Sequence, residues 1–149
     1  MKKRTRKIDK IVSLAAAEER SLGQQAGRSR MHLDEQLSRL GELNAFRHNY
    51  SSKNPARSGV SAAHWKDYQN FLHRLDTAVS AQQQLIRDGE RNLEAHRKRW
   101  LAKRQRLESL ERVLEKYKDQ DRADQSRLEQ KSSDELAGPS SPGFGPRES

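Results

Sequence analysis

Residues 65–114 read WKDYQNFLHRLDTAVSAQQQLIRDGERNLEAHRKRWLAKRQRLESLERVL, and every seventh position of this stretch, counted from its first residue, is apolar. In a chain that is 32% hydrophobic, eight consecutive apolar residues in one fixed frame are expected by chance about once in ten thousand times. This heptad row predicts one long α-helix that packs against a partner helix. The row consists of Trp65, Leu72, Val79, Ile86, Leu93, Trp100, Leu107 and Leu114.

A second row of the same heptad frame is apolar only near its ends. It begins with Tyr68 and Leu75 and finishes with Leu110 and Tyr117, and the positions between them include Gln82. A coiled-coil seam needs apolar side chains in both rows. We therefore expect a seam that is firmly packed at both ends and polar in its middle.

An amphipathic pattern also precedes this helix, from about residue 4 to residue 51. Its apolar residues recur mostly three or four positions apart, which defines one face of a helix. Gly23, Gly27 and Gly41 each weaken this first helix by about 1 kcal/mol relative to alanine. The first helix thus depends more on its partner than the second does. Its predicted seam residues are Leu22, Leu33, Leu37, Leu40 and Phe46.

A short polar segment joins the two helices. Residues 51–61 read SSKNPARSGVS, in which Pro55 and Gly59 are helix breakers and Ser61 is a candidate N-cap. Helices joined by about ten residues pack side by side in opposite directions. The sequence therefore predicts an all-α fold, a long two-helix antiparallel coiled-coil hairpin with a flexible C-terminal tail.

The hairpin geometry also predicts a register and an unpaired end. Folding about the turn places Leu33 opposite Val79 and Leu22 over Gly89, and about 20 residues of the second helix extend past the first. The final stretch, AGPSSPGFGPRES, cannot repay its ordering entropy and is expected to be disordered. The expected bounds are helices at about 4–51 and 61–135 within a hairpin over 1–136, a turn at 52–60, and a tail at 137–149.

Composition narrows the classes of function. The formal net charge of +9 favours acidic partners such as nucleic acid, an anionic membrane face or an acidic protein surface. The chain has no cysteine, which excludes disulfides and thiolate sites. Its five histidines form no metal-binding spacing, and its carboxylates fall on solvated helix faces. We expect no catalytic residue, no metal site and no cofactor.

Two basic clusters are distant in sequence, but the predicted register brings them to one end of the hairpin, away from the turn. An end this positive favours an acidic partner. The clusters consist of Lys2, Lys3, Arg4, Arg6, Lys7 and Lys10, and of Arg97, Lys98, Arg99, Lys103, Arg104 and Arg106.

A line of residues beside the seam is a second candidate interaction site. Phe71, Leu75, Ala78 and Gln82 follow one another by four, three and four positions, so they share one face of the second helix near the turn. An apolar strip left exposed on a helical surface commonly marks a partner site. The alternative is that Phe71 merely broadens the seam.

The parts of the chain follow one another in a particular order. A basic start and an amphipathic helix closing on AFRHNYSS precede a short turn, which is followed by HWKDYQNFLHRLDTAV and by a tryptophan within RKRWLAKRQRLESLE. Over about residues 1–130 this order resembles the FliJ family of flagellar type III export proteins. Trp65, Tyr68, Phe71, Leu72 and Leu75 carry the most specific part of the resemblance.

The resemblance implies a non-enzymatic stalk, similar to the central shaft of rotary ATPases, between a hexameric export ATPase and a membrane export gate. On that analogy the basic clusters contact the ATPase ring, and the line from Phe71 to Gln82 docks on the gate. The implied location is cytoplasmic and peripheral to the inner membrane at the flagellar base, and export chaperones are further candidate partners. Alternatives are a basic coiled coil that binds nucleic acid without sequence specificity, an escort for export substrates, and a coiled coil between two chains.

Overall fold

The protein forms two long α-helices that pack against each other. A computed structural model describes residues 1–53, 59 and 61–138. Helix α1 spans Lys3–Ser52 and helix α2 spans Ala62–Leu136, and the described residues include no β-strand. The predicted all-α antiparallel hairpin is confirmed. Most of the predicted turn, 54–58 and 60, and most of the predicted tail, 139–149, lie outside the described residues.

Local caps close both ends of α2. The hydroxyl oxygen of Ser61 accepts a hydrogen bond from the backbone N–H of His64 at 3.3 Å, which satisfies one of the first-turn N–H groups that lack a helical partner. The predicted N-cap at Ser61 is thereby confirmed. At the other end, Gly138 has a φ of 68°, and its N–H donates to the carbonyl of Glu135 at 3.1 Å. Glycine adopts this left-handed conformation without steric cost and closes the last turn.

Internal contacts divide the chain into two units. The first unit comprises Met1–Glu18 and Arg104–Ser149, and the second comprises Glu19–Lys103. In each unit a segment of α1 packs on a segment of α2. The core of the second unit is a thin cluster of Leu33, Ile86 and Leu93, with Leu40 packed at its side.

Burial of the predicted seam residues separates them into three groups. The most buried occupy the centre of the helix interface, and the half-buried residues lie at its edges. Buried are Leu33, Tyr68, Ile86, Leu93, Leu107 and Leu114; half-buried are Leu22, Leu40, Trp65, Leu72, Val79 and Trp100; exposed are Leu37 and Phe46.

The two exposed residues differ from the prediction for different reasons. Leu37 is 44% exposed because its neighbour Gln36, only 5% exposed, takes the interface position. Phe46 is 52% exposed because its ring lies at the edge of the interface, where it meets Phe71 edge-on with ring centroids 6.2 Å apart. A helical pattern of threes and fours does not distinguish such adjacent positions.

The predicted register is wrong by ten residues at Leu33. A Cβ built at Gly89 lies 3.3 Å from the Leu33 side chain, whereas the prediction placed Leu33 against Val79. The prediction assumed that the turn divides equally between the helices. Instead, Tyr50, near the end of α1, stacks on Tyr68, with ring centroids 5.1 Å apart. The partners on α2 therefore lie further along the sequence than expected.

Close packing of α1 on α2 explains one of the helix-weakening glycines. A Cβ built at Gly23 lies 3.0 Å from the indole nitrogen of Trp100. The Cβ of an alanine rarely approaches another side chain so closely. That nitrogen donates a hydrogen bond to the Glu19 carboxylate at 2.8 Å, which fixes the ring over Gly23. By contrast, a Cβ at Gly27 meets nothing within 4 Å.

Substitution of these two glycines by alanine is expected to have different effects on stability. Gly27→Ala should raise the free energy of unfolding by about 1 kcal/mol, the difference in helical preference between the two residues. Gly23→Ala should give no gain, because the ring of Trp100 must move to admit the new methyl group. Urea unfolding followed by circular dichroism measures both variants. An equal gain in the two would contradict the close packing of Trp100.

Candidate interaction surfaces

Aromatic side chains gather beside the end of α1 and the start of α2. Tyr50 lies between Tyr68 and Phe71, with ring centroids 5.1 and 4.5 Å away. Phe46 stacks on Tyr50 at 6.5 Å, and Trp65 stacks on Tyr68 at 5.6 Å. Aromatic pairs at these separations are favourable beyond the area that they bury. We call these five residues the aromatic surface.

Hydrogen bonds fix the aromatic surface to the backbone of α1. The Tyr68 hydroxyl lies 3.3 Å from the carbonyl oxygen of Tyr50 and 3.1 Å from that of Ser51. These carbonyls belong to the last turn of α1, which lacks its usual helical partners. That of Tyr50 also accepts from the backbone N–H of Lys53 at 3.3 Å. Tyr68 therefore caps α1 with a side chain from α2, and the rings around it are held in fixed positions.

An ion pair and two open grooves border the aromatic surface. Arg47 pairs with Asp76 across the two helices, and this carboxylate raises the pKa of the Arg47 guanidinium. One groove of about 460 Å³ is lined mainly by Tyr50, Tyr68 and Phe71 with polar neighbours. Another, of about 380 Å³, lies beside Phe46. The surface thus offers apolar rings within a charged rim.

The predicted docking line is only partly at the surface. Leu75 is 7% exposed and Gln82 is 8% exposed, so neither side chain is available to a partner. Both belong to the second heptad row, which faces α1 in this register. Phe71 and Ala78 remain half-buried. The sequence prediction missed Phe46, which extends the exposed apolar area from α2 onto α1.

The N-terminal basic residues contact the C-terminal part of α2. Lys2 forms an ion pair with Asp124, and Arg4 donates to the side-chain oxygen of Gln120 at 2.6 Å. The Arg4 guanidinium also lies 4.7 Å from the centre of the Tyr117 ring, a cation–π distance. The prediction that this cluster lies beside residues 97–106 is therefore corrected, because α2 presents carboxylates to it further along the chain.

Asp121 binds the first turn of α1. Its carboxylate accepts hydrogen bonds from the Thr5 hydroxyl at 2.7 Å and from the Lys2 backbone N–H at 3.1 Å. Thr5 is fully buried. The Thr5 hydrogen bond, followed by the Lys2 N–H, lowers the pKa of Asp121. A negative charge at this point also complements the positive end of the α1 dipole.

The other N-terminal basic residues point to solvent. Lys3, Arg6, Lys7 and Lys10 are exposed, and no ion pair holds any of them within the described residues. We call these four the N-terminal basic surface.

The second basic cluster, at residues 97–106 on α2, is also largely exposed. Lys98 lies 3.9 Å from Glu94 and Arg104 lies 3.6 Å from Glu108. Both are solvent-exposed pairs one helical turn apart, which restrain a side chain only weakly. Arg97, Lys98, Arg99, Arg104 and Arg106 are exposed, and Lys103 is half-buried.

The described part of the chain offers little for other kinds of site. No three histidine or acidic side chains there are grouped so that they could hold a metal ion. Within residues 1–53, 59 and 61–138, no helix carries an apolar stretch long enough to cross a membrane.

Comparisons with known proteins agree on one family. A sequence model of the family described as "Flagellar FliJ protein" matches residues 4–140. A curated protein of Escherichia coli (strain K12), also described as "Flagellar FliJ protein", is 29% identical to the chain over 105 residues, which cover 70% of each protein. Comparison with solved structures found no match.

Removal of the Asp121 carboxylate should release the first turn of α1. We expect Asp121→Ala to speed amide hydrogen exchange over the first two turns of α1, because the Thr5 hydroxyl and the Lys2 N–H lose their acceptor. Asp119→Ala is the matched control, since Asp119 pairs with Arg122 on its own helix. Equal exchange in the two variants would contradict a clamp by Asp121.

The same clamp should depend on pH in a defined direction. The pKa of Asp121 is lower in the folded protein than in the unfolded chain, so its stabilising effect is complete above the ordinary aspartate pKa. It is lost as the pH falls through the lowered folded value. Hydrogen exchange of the first turn of α1, corrected for intrinsic rates, should therefore accelerate only in that acidic range. The Asp121→Ala variant should keep only the part of this acid transition that comes from Asp124, whose pKa is lowered by its hydrogen bond to Lys2.

Proposed function

This chain belongs to the FliJ family of flagellar proteins, whose role lies in flagellar protein export, and we propose that it acts there as a non-enzymatic coiled-coil stalk. The stalk couples the export ATPase ring to the membrane export gate and promotes assembly and activity of the ATPase. The observation that carries the proposal is the presence of two chemically different surfaces, one basic and one aromatic, on a hairpin of two helices.

Basic residues are the proposed contact with the ATPase ring. The N-terminal basic surface supports this role best, because its four side chains are exposed and unpaired within the described chain. Lys2 and Arg4 bind α2 and position the segment. Positive charge of this kind speeds encounter with an acidic partner and aligns it. The second part of the proposed contact is Arg97, Lys98, Arg99, Lys103, Arg104 and Arg106.

Exposed aromatic rings are the proposed contact with the export gate. Phe46 and Phe71 meet edge-on, one from each helix, and Phe46 is 52% exposed. Rings that are already fixed lose little side-chain freedom on binding, which favours affinity. Ala78 completes the exposed part of the docking line. Leu75 and Gln82 act in this proposal by positioning the rings, since their own side chains are buried.

The proposed location follows from the two proposed contacts. A protein that binds both the ATPase ring and the gate works on the cytoplasmic face of the inner membrane, at the flagellar base. Its attachment to the membrane is then peripheral, through the gate protein. Export chaperones are additional partners in this proposal, and they would compete for the same exposed apolar area.

Neutralising the N-terminal basic surface should weaken stimulation of the ATPase. Four surface contacts of a few tenths of a kcal/mol each amount to about 1.4 kcal/mol, or roughly tenfold in the concentration needed for half-maximal stimulation. The test variant replaces Lys3, Arg6, Lys7 and Lys10 by glutamine, and ATP hydrolysis by the candidate export ATPase is measured against its concentration.

The matched control removes the same charge from exposed basic residues elsewhere, with glutamine at Arg20, Arg28, Arg39 and Lys131. A parallel variant with glutamine at Arg97, Lys98, Arg99 and Arg106 tests the α2 cluster separately. If wild-type protein changes neither ring assembly nor hydrolysis, the stalk proposal fails. Salt-dependent binding to mixed nucleic acid would then favour the alternative class.

Truncation of the aromatic rings should weaken gate binding. Phe46→Ala and Phe71→Ala should each weaken binding to the soluble domain of the candidate gate protein by about 2 kcal/mol, roughly thirtyfold, as expected for an aromatic anchor. Leu85→Ala is the matched control, because Leu85 is 49% exposed and lies outside the aromatic surface. Titration calorimetry gives the affinities. Equal affinities for all three variants would contradict docking through these rings.

A further inference from the structure

A polar pair lies in the middle of the interface of the second unit. Gln36 is 5% exposed and Gln82 is 8% exposed, and among the described residues of this unit no other polar side chain is buried to this degree. Leucine would fill either position of a coiled-coil seam more stably. The presence of two amides on facing helices therefore needs a physical reason.

The Gln82 amide binds Gln36 through two hydrogen bonds. The side-chain nitrogen of Gln82 donates to the side-chain oxygen of Gln36 at 2.6 Å and to the backbone carbonyl of Gln36 at 2.9 Å. One amide thus binds both a side chain and the main chain of the opposite helix. A buried amide without such partners is strongly unfavourable.

The apolar residues around this pair do not define one register. Ala26, Leu33 and Leu40 of α1 repeat every seven positions, as do Ile86 and Leu93 of α2, which pack with Leu33 and Leu40. A slip of one heptad therefore sets this α1 row against the first heptad row of α2 again, whose residues are all apolar. The amides do not tolerate that slip, because Gln82 would then face position 29 or 43 in place of Gln36. Leu43 has no side-chain acceptor, and the hydroxyl of Ser29 lies on a side chain two carbons shorter than that of Gln36.

We propose that the Gln36–Gln82 pair is a register clamp, which selects one alignment of α1 on α2 from those that the apolar rows allow. The polar clamp makes the seam less stable than leucine would, but it restricts the two helices to one alignment. This role concerns the hairpin itself, so it is independent of the export partners named above. It keeps Phe46 of α1 beside Phe71 of α2.

The absence of cysteine from the chain makes the register directly measurable. A Cβ built at Gly89 lies 3.9 Å from the Cβ of Leu33, within the distance that a disulfide spans. Leu33→Cys with Gly89→Cys therefore reports the observed register. Gly89→Cys paired with Ala26→Cys or with Leu40→Cys reports a slip of one heptad in either direction.

The experiment introduces each cysteine pair into three backgrounds and measures the fraction oxidised within one chain. The backgrounds are the parent chain, Q36L/Q82L, and a control, Q24L/Q83L, in which two exposed glutamines become leucine. In the parent and in the control, we expect crosslinking only between positions 33 and 89. In Q36L/Q82L, we expect the oxidised fraction of the 26–89 or the 40–89 pair to approach that of the 33–89 pair, while helicity is retained.

Crosslinking confined to positions 33 and 89 in Q36L/Q82L would overturn the proposal. Should that double variant fail to fold cooperatively, the single variants decide. The proposal requires Q82L and Q36L each to lower the thermal midpoint by more than the exposed-site changes do. Q82L leaves the buried Gln36 side-chain oxygen without its donor, and Q36L leaves the Gln82 amide only the backbone carbonyl of residue 36. Midpoints equal to those of Q24L and Q83L would overturn the clamp.

Discussion

The fold depends on the burial of one narrow apolar stripe on each helix against the other. With a mean hydropathy of −1.17, neither helix carries enough apolar surface to form a core alone, and helix stability in such chains comes chiefly from packing. Every departure from an apolar seam must therefore be compensated on the facing helix. Gly23 accommodates the ring of Trp100, and Gln36 satisfies the amide of Gln82.

Periodicity was sufficient to predict the two helices, their direction and the cap at Ser61, because each of these depends on local pattern or on the length of one connection. The sequence does not determine the register. Rows that repeat every seven residues fit one another in several alignments, and the observed alignment differs from the others in individual contacts such as Leu33 on Gly89. Such contacts become visible only when both helices are placed.

The same limitation explains the errors at the candidate surfaces. Residues spaced by four and three, as from Phe71 to Gln82, can form either an exposed strip or a second row of the seam. In the structure, Leu75 and Gln82 belong to the seam. Phe46 fits the apolar pattern of α1 and was therefore predicted to lie in the seam, but that pattern does not distinguish a seam position from the edge of the interface. The role of Asp121 does not follow from clusters of like charge in the sequence, because its effect comes from a single carboxylate that meets a helix N-terminus.

The placement of the aromatic surface beside the turn also orders the steps by which the second unit folds. Tyr68 meets the backbone of Tyr50 across only 18 residues of chain, the two glutamines meet across 46, and Trp100 meets Glu19 across 81. By loop-closure entropy alone, forming the contact of Trp100 with Glu19 first costs about 1.3 kcal/mol more than forming that of Tyr68 with Tyr50 first. Pairing is thus favoured to begin at the rings and to propagate away from the turn. The glutamines then meet before most of the interface has formed, when a misaligned pair of helices can still separate and realign.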